Sequence, residues 1–187
     1  MYDGYYTWML VSASFVLLMM PGLALFYGGM SRSKSVLNMM MMSFGSAAMI
    51  GVIYALWGWS MSYSDSIPNA DGEAGASVAM LFASPFNQFG LSDTDPANLV
   101  FVAFQMTFAI ITAALISGSL ADRVKFSAWL VFLPIWATLA YFPLAHMVWG
   151  GGFLSGNEGS LADLIFPGDG GAASGGRSTV KATRPDD

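Results

Sequence analysis

Val36-Leu37-Asn38-Met39-Met40-Met41-Met42-Ser43-Phe44-Gly45-Ser46-Ala47-Ala48-Met49-Ile50-Gly51-Val52-Ile53-Tyr54-Ala55-Leu56-Trp57-Gly58-Trp59-Ser60-Met61-Ser62-Tyr63 contains no Asp, Glu, Lys or Arg. A helix needs about 20 apolar residues to cross a hydrocarbon core of about 30 Å, and this stretch exceeds that. Three more charge-free windows flank it, from Gly4 to Ser31, Ala97 to Ala121 and Phe126 to Asn157. The pattern predicts an all-α membrane protein with four spanning helices, at about Tyr6–Met30, Val36–Tyr63, Asn98–Leu120 and Phe126–Gly150. Composition agrees: 55% of residues are hydrophobic and 10% charged, with a mean hydropathy of +0.57, too apolar for an ordinary soluble domain of this length.

The charges between the windows orient the chain. Arg32 and Lys34 separate the first two spans, and Arg123 and Lys125 the last two. Short loops rich in Lys and Arg stay on the cytoplasmic side. The long connection Ser64–Pro96 carries Asp65, Asp71, Glu73, Asp93 and Asp95 and no basic residue, which agrees with an external position. The N-terminus and the segment after Gly150 are then external too. Met1-Tyr2-Asp3-Gly4 lacks a cationic lead-in, so no cleavable signal sequence is expected. With no cysteine, disulfide and thiolate chemistry are excluded. A formal charge of -5 without a basic cluster in the folded region argues against a nucleic-acid partner.

Small residues recur every fourth position in the second span (Ser43, Ala47, Gly51, Ala55) and the third (Ala109, Ala113, Ser117, Ala121). Such stripes let helix backbones approach where lipid supplies no hydrophobic drive for association. Pro21, Pro134 and Pro143 lie inside spans, where neighbouring helices can re-satisfy the carbonyls they free. Met39 to Met42 point in four directions on a helix, which suits adaptable packing better than a soft-metal site.

Catalysis is a poor fit. His146 is the only histidine and no carboxylate lies within a span, so no nucleophile–base pair, metal cluster or phosphate loop can be assembled. No cofactor is expected. The remaining candidates are aromatic: Phe104 and Phe108, spaced i,i+4 near the outer end of the third span, and Trp149 at the outer end of the fourth. A cation losing water there can be held by ring quadrupoles, each contributing about 2 kcal/mol or more when desolvated. Aromatics at helix ends also form interfacial belts, and the residues alone leave both readings open. His146 reads equally well as a hydrogen-bonded structural histidine. The stretch His146-Met147-Val148-Trp149-Gly150-Gly151-Gly152 sets the Trp149 ring beside backbone able to come very close to a ligand.

That stretch, with Pro21-Gly22-Leu23-Ala24-Leu25-Phe26-Tyr27-Gly28-Gly29, Ala103-Phe104-Gln105 and Phe126-Ser127-Ala128, resembles the ammonium transporter family (Amt, Mep and Rh) in the family's order, over about Tyr6 to Leu154. The resemblance implies the first part of an eleven-helix bundle built from two inverted repeats. It also implies ammonium or ammonia as substrate, with methylammonium as an analogue, and a homotrimer in the plasma (inner) membrane. A PII-type regulator is expected on the cytoplasmic face. By the same resemblance Trp149 matches the tryptophan of an outer aromatic cage that receives ammonium. Phe108 matches the outer gate phenylalanine, with Phe104 one turn earlier in the same wall. Both histidines of the paired pore site, the second gate phenylalanine and the cage serine belong to later helices.

Beyond about Leu154 the sequence departs from the family pattern. The expected Asp-Phe-Ala-Gly-Gly string and the histidine after it are absent, and Asp163, flanked by Leu161-Ala162 and Leu164-Ile165, does not match it. Residues 155–187 are polar and Gly-rich, as expected of disorder, and a truncated or frame-shifted product is the expected origin of this tail. Two functions follow from the sequence: ammonium transport, with this chain carrying the outer recruitment half, or a non-conducting fragment serving assembly or interaction.

Overall fold

The computed structural model of the chain describes residues 3–64, 81, 83–120, 123–155 and 165. The tail beyond Ser155, apart from Ile165, lies outside the described residues, as do Asp65, Asp71, Glu73 and Asp163.

The four charge-free windows form four long helices. We label them α1 (Asp3–Met30), α2 (Val36–Tyr63), α3 (Leu99–Ser119) and α4 (Phe126–Trp149), each long and apolar enough to cross a membrane. The chain is therefore a multi-pass membrane protein. α2 is the hub: it packs against α1, α3 and α4, while α1 also packs against α3. The small-residue stripe of α3 behaves as expected, with Ala109, Ala113 and Ser117 fully or almost fully buried. In α2 a close approach falls beside the stripe. A Cβ at Gly45 would lie 2.8 Å from the Phe126 ring, so the start of α4 docks on that glycine.

Trp129 locks the same contact. Its ring is fully buried, and its indole N–H donates to the Met42 carbonyl at 3.0 Å and to Ser46 Oγ at 3.1 Å. The Ser46 hydroxyl itself donates to that carbonyl at 2.8 Å. Within a membrane such bonds average only about 0.6 kcal/mol each, so they fix register more than they add stability. On the other flank, the Tyr27 ring of α1 lies over Gly118 of α3, and its hydroxyl donates to the Leu115 carbonyl at 3.2 Å. The methionine run divides as its spacing predicts: Met39 and Met42 are buried, Met41 is exposed, and Met40 fits against Gly28 of α1.

Two of the helices are not uniformly α. α2 widens to π-helical turns at Tyr54–Gly58 and α4 at Ala137–Tyr141, and the two wide regions are cross-linked. Trp57 Nε1 donates to Thr138 Oγ1 at 3.0 Å, the Tyr54 and Phe142 rings meet edge to face with centroids 5.9 Å apart, and the Phe142 ring fills the space a Cβ would need at Gly58. Pro143, two residues after the wide segment of α4, cannot donate to the carbonyl one turn back, and a widened turn accommodates that loss.

Candidate aromatic site

Because α3 and α4 run antiparallel, the start of one and the end of the other lie at the same end of the bundle. Phe104 and Phe108 occupy one face of α3, Phe108 about 6 Å deeper along the axis. Their rings meet edge to face at 4.9 Å and 74°, the arrangement aromatic quadrupoles prefer. Hydroxyls flank them on the backbone side: Thr107 donates to the Phe104 carbonyl at 2.6 Å and Thr112 to the Phe108 carbonyl at 2.7 Å. Phe108 is 37% exposed and Trp149 52%, so both present apolar ring surface that this chain leaves uncovered.

The structure brings Phe104 and Phe108 together and keeps Trp149 out of ring contact with either. α4 packs on α2, so the C-terminal end of α2 touches both neighbours. There Trp59 and Tyr63 stack at 4.7 Å, and both meet Phe101 of α3 edge to face, at 6.1 and 5.5 Å. This second aromatic group was not singled out from the sequence. Its only signal there is the i,i+4 spacing of Trp59 and Tyr63.

The glycines after Trp149 have roles other than approach to a ligand. A Cβ at Gly150 would overlap the Ser62 carbonyl oxygen of α2 and lie 2.7 Å from His146 Nδ1, so the backbone here is committed to a helix–helix contact. Gly151 has φ 92°, a left-handed conformation that favours glycine. Beyond it the Gly152 N–H returns to the His146 carbonyl at 3.1 Å, and the Leu154 N–H to the Met147 carbonyl at 2.9 Å. His146 is fully buried beneath this turn. Tyr27 and Gly28, in the other motif, likewise serve helix packing.

The acidic connection between α2 and α3 is also partly structural. Asp95 Oδ1 accepts the Ala97 N–H at 2.9 Å and caps the turn Pro96–Asn98 that leads into α3. The Ser60 hydroxyl of α2 donates to the Ser84 carbonyl at 2.7 Å and accepts the Gln88 N–H at 3.1 Å, tying the connection down over the helix ends.

The described residues thus form a bundle of four apolar spans, with the Phe104–Phe108 pair on one helix face, which places the chain in the class of multi-pass membrane proteins. Comparison with known proteins gives the class its identity: the chain belongs to the Ammonium Transporter Family, which it matches over residues 7–171. It is 48% identical over 172 residues to an ammonium transporter of Mycobacterium tuberculosis, covering 84% of this chain and 36% of the relative. It is 46% identical over 159 residues to an ammonium transporter of Aquifex aeolicus, with the same coverage of each chain. Among solved structures it is similar to Candida albicans Mep2, with a TM-score of 0.65 and 27% identity, covering 79% of this chain and 32% of that one. The chain thus spans about a third of the length of the relatives it matches.

Proposed function

We propose that this chain supplies the outer, cation-recruiting part of an ammonium-conducting pore. Trp149 attracts the ammonium ion through its ring face, and Phe108, backed by Phe104, closes the path behind it. The observation that carries this reading is the edge-to-face Phe104–Phe108 pair, which runs from the Trp149 end of the bundle towards the middle of α3, with Phe108 and Trp149 both partly exposed. An apolar helix face of paired rings can bind a small cation without adding a fixed negative charge, so the ion is held and still released. The reading includes a homotrimeric assembly and a PII-type regulator at the cytoplasmic face. It assigns no catalytic residue and no cofactor.

The test is made in a chain completed with the later helices of a relative. There Trp149→Leu is expected to weaken ammonium affinity roughly 5- to 30-fold, or about 1–2 kcal/mol, and Trp149→Phe to weaken it less. If Trp149 is instead an interfacial anchor, the Leu variant will insert poorly but keep its ammonium affinity at equal membrane abundance, and competition by ammonium against methylammonium uptake distinguishes the two.

In the same reading the chain lies in the plasma (inner) membrane with its N-terminus outside, because Arg32, Lys34, Arg123 and Lys125 fall in the two short loops. Single cysteines at Ser33 and at Gly72 are expected to differ in intact cells, with an impermeant thiol reagent labelling only the second. Equal labelling of both would overturn the orientation.

A further inference from the structure

The two short loops meet at the end of the bundle opposite the aromatic rings, where a cleft of about 350 Å³ opens between the start of α2 and the start of α4. Ser35, Asn38, Arg123, Val124, Lys125 and Phe126 line it. Its chemistry is one-sided: two cations, a hydroxyl and an amide, with no carboxylate among the described lining residues. Ser35 is the residue before α2 and makes no side-chain cap, so its hydroxyl and the first-turn N–H groups of that helix add donors on one wall. The Asn38 amide has only a 3.7 Å contact with Met42 Sδ, a weak acceptor that a better one would replace. Asp122 neighbours Arg123 in the sequence, yet with Arg32 and Lys34 the two loops keep a positive excess.

We propose that this cleft binds the phosphate group of an anionic lipid headgroup. Arg123 offers a planar fork of donors suited to two phosphate oxygens, and Lys125 a compact second charge. Basic pockets between spanning helices at the cytoplasmic face meet an anionic leaflet. A lipid is the expected source of the phosphate because Leu37, Met41 and Phe44, one face of α2 starting beside the cleft, are all exposed and offer acyl chains a path. The site is separate from the aromatic end, so ammonium recruitment can fail while this proposal holds, and the reverse.

The test uses the whole 187-residue chain in neutral detergent, with bound lipid counted by native mass spectrometry. Phosphatidylglycerol is expected to bind in preference to phosphatidylcholine. Arg123→Gln with Lys125→Gln should weaken that binding about 25-fold, taking about fivefold for each cation. Arg32→Gln with Lys34→Gln removes the same charge from residues that do not line the cleft, and should weaken it less than fivefold. Ser35→Ala with Asn38→Leu, which leaves the charge unchanged, should lower it severalfold. Circular dichroism on each variant separates lost binding from lost helix. Inorganic phosphate is the second probe: competition only at millimolar concentration identifies the lipid as the source, and tight binding of phosphate alone identifies a soluble phosphate in the same site. Equal losses from the two cation pairs, or no preference between the two lipids together with no phosphate binding, would overturn the site.

Discussion

Gly150→Ala is expected to destabilise the bundle by about 3 kcal/mol, the upper end of the usual overpacking cost. The reason is what stands in the way: the added methyl would overlap the Ser62 carbonyl oxygen, which belongs to helix backbone and cannot rotate aside as a flexible side chain can. Either the end of α4 or the end of α2 has to move, and Trp149 and Trp59 move with them. Gly22→Ala is the informative contrast. Nothing lies within 4 Å of a Cβ at Gly22 in the middle of α1, so there alanine should stabilise by about 0.5–1 kcal/mol through helix propensity alone. Thermal unfolding of both variants in the same detergent checks the pair, and similar midpoints for the two would show that α4 does not press on α2 at Gly150.

The second large effect is all or none. Expressed alone in cells without other ammonium transporters, residues 1–187 should give methylammonium uptake at background, and fusion to the later helices of a relative should restore saturable uptake. α4 packs on α2, and so does α3, which leaves the Phe104–Phe108 face with no opposite wall among the described residues to enclose a path. A bare cation at mid-bilayer costs several kcal/mol even on the lenient insertion scales, and the resemblance assigns the paired pore histidines to helices beyond the spans described. Robust, saturable uptake by the 187-residue chain would show that four helices enclose a path after all.

The spans were legible because bilayer insertion penalises charge so heavily that its absence over a helix length is itself a signal. Half of the aromatic site was legible for a similarly local reason: the i,i+4 spacing of Phe104 and Phe108 puts both on one face of any α-helix, and the rings do meet. The relation of Trp149 to them was not legible. It depends on α4 docking on α2 through Gly45, Ser46 and Trp129, residues far apart in sequence whose pairing no local pattern announces. The glycine run misled in the same way. Its small size correctly signals a close approach, but whether the approaching group is a ligand or the Ser62 carbonyl is decided by tertiary packing. The wide turn at Tyr54–Gly58 leaves no compositional mark, since any apolar residue serves in either helix type, and the one at Ala137–Tyr141 is marked only by Pro143, which could equally have produced a kink.

Those wide turns have a consequence for how the two ends of α4 are coupled. A π turn holds about one more residue than an α turn over the same contour, and each residue of an α-helix advances the azimuth by about 100°. Tightening Ala137–Tyr141 to uniform α-helix with every residue kept would therefore rotate everything downstream by about a quarter of a revolution or more, whereas tightening it with the loss of one residue would leave the downstream phase nearly unchanged. In the first case Trp129, upstream, would keep its seat on Met42 and Ser46, while Trp149 would swing to another bearing and Gly150 would leave the Ser62 carbonyl. The angular phase between the two ends is therefore held by the width of this one turn, so a single-residue deletion there is better tolerated than an insertion, or than a deletion elsewhere in α4.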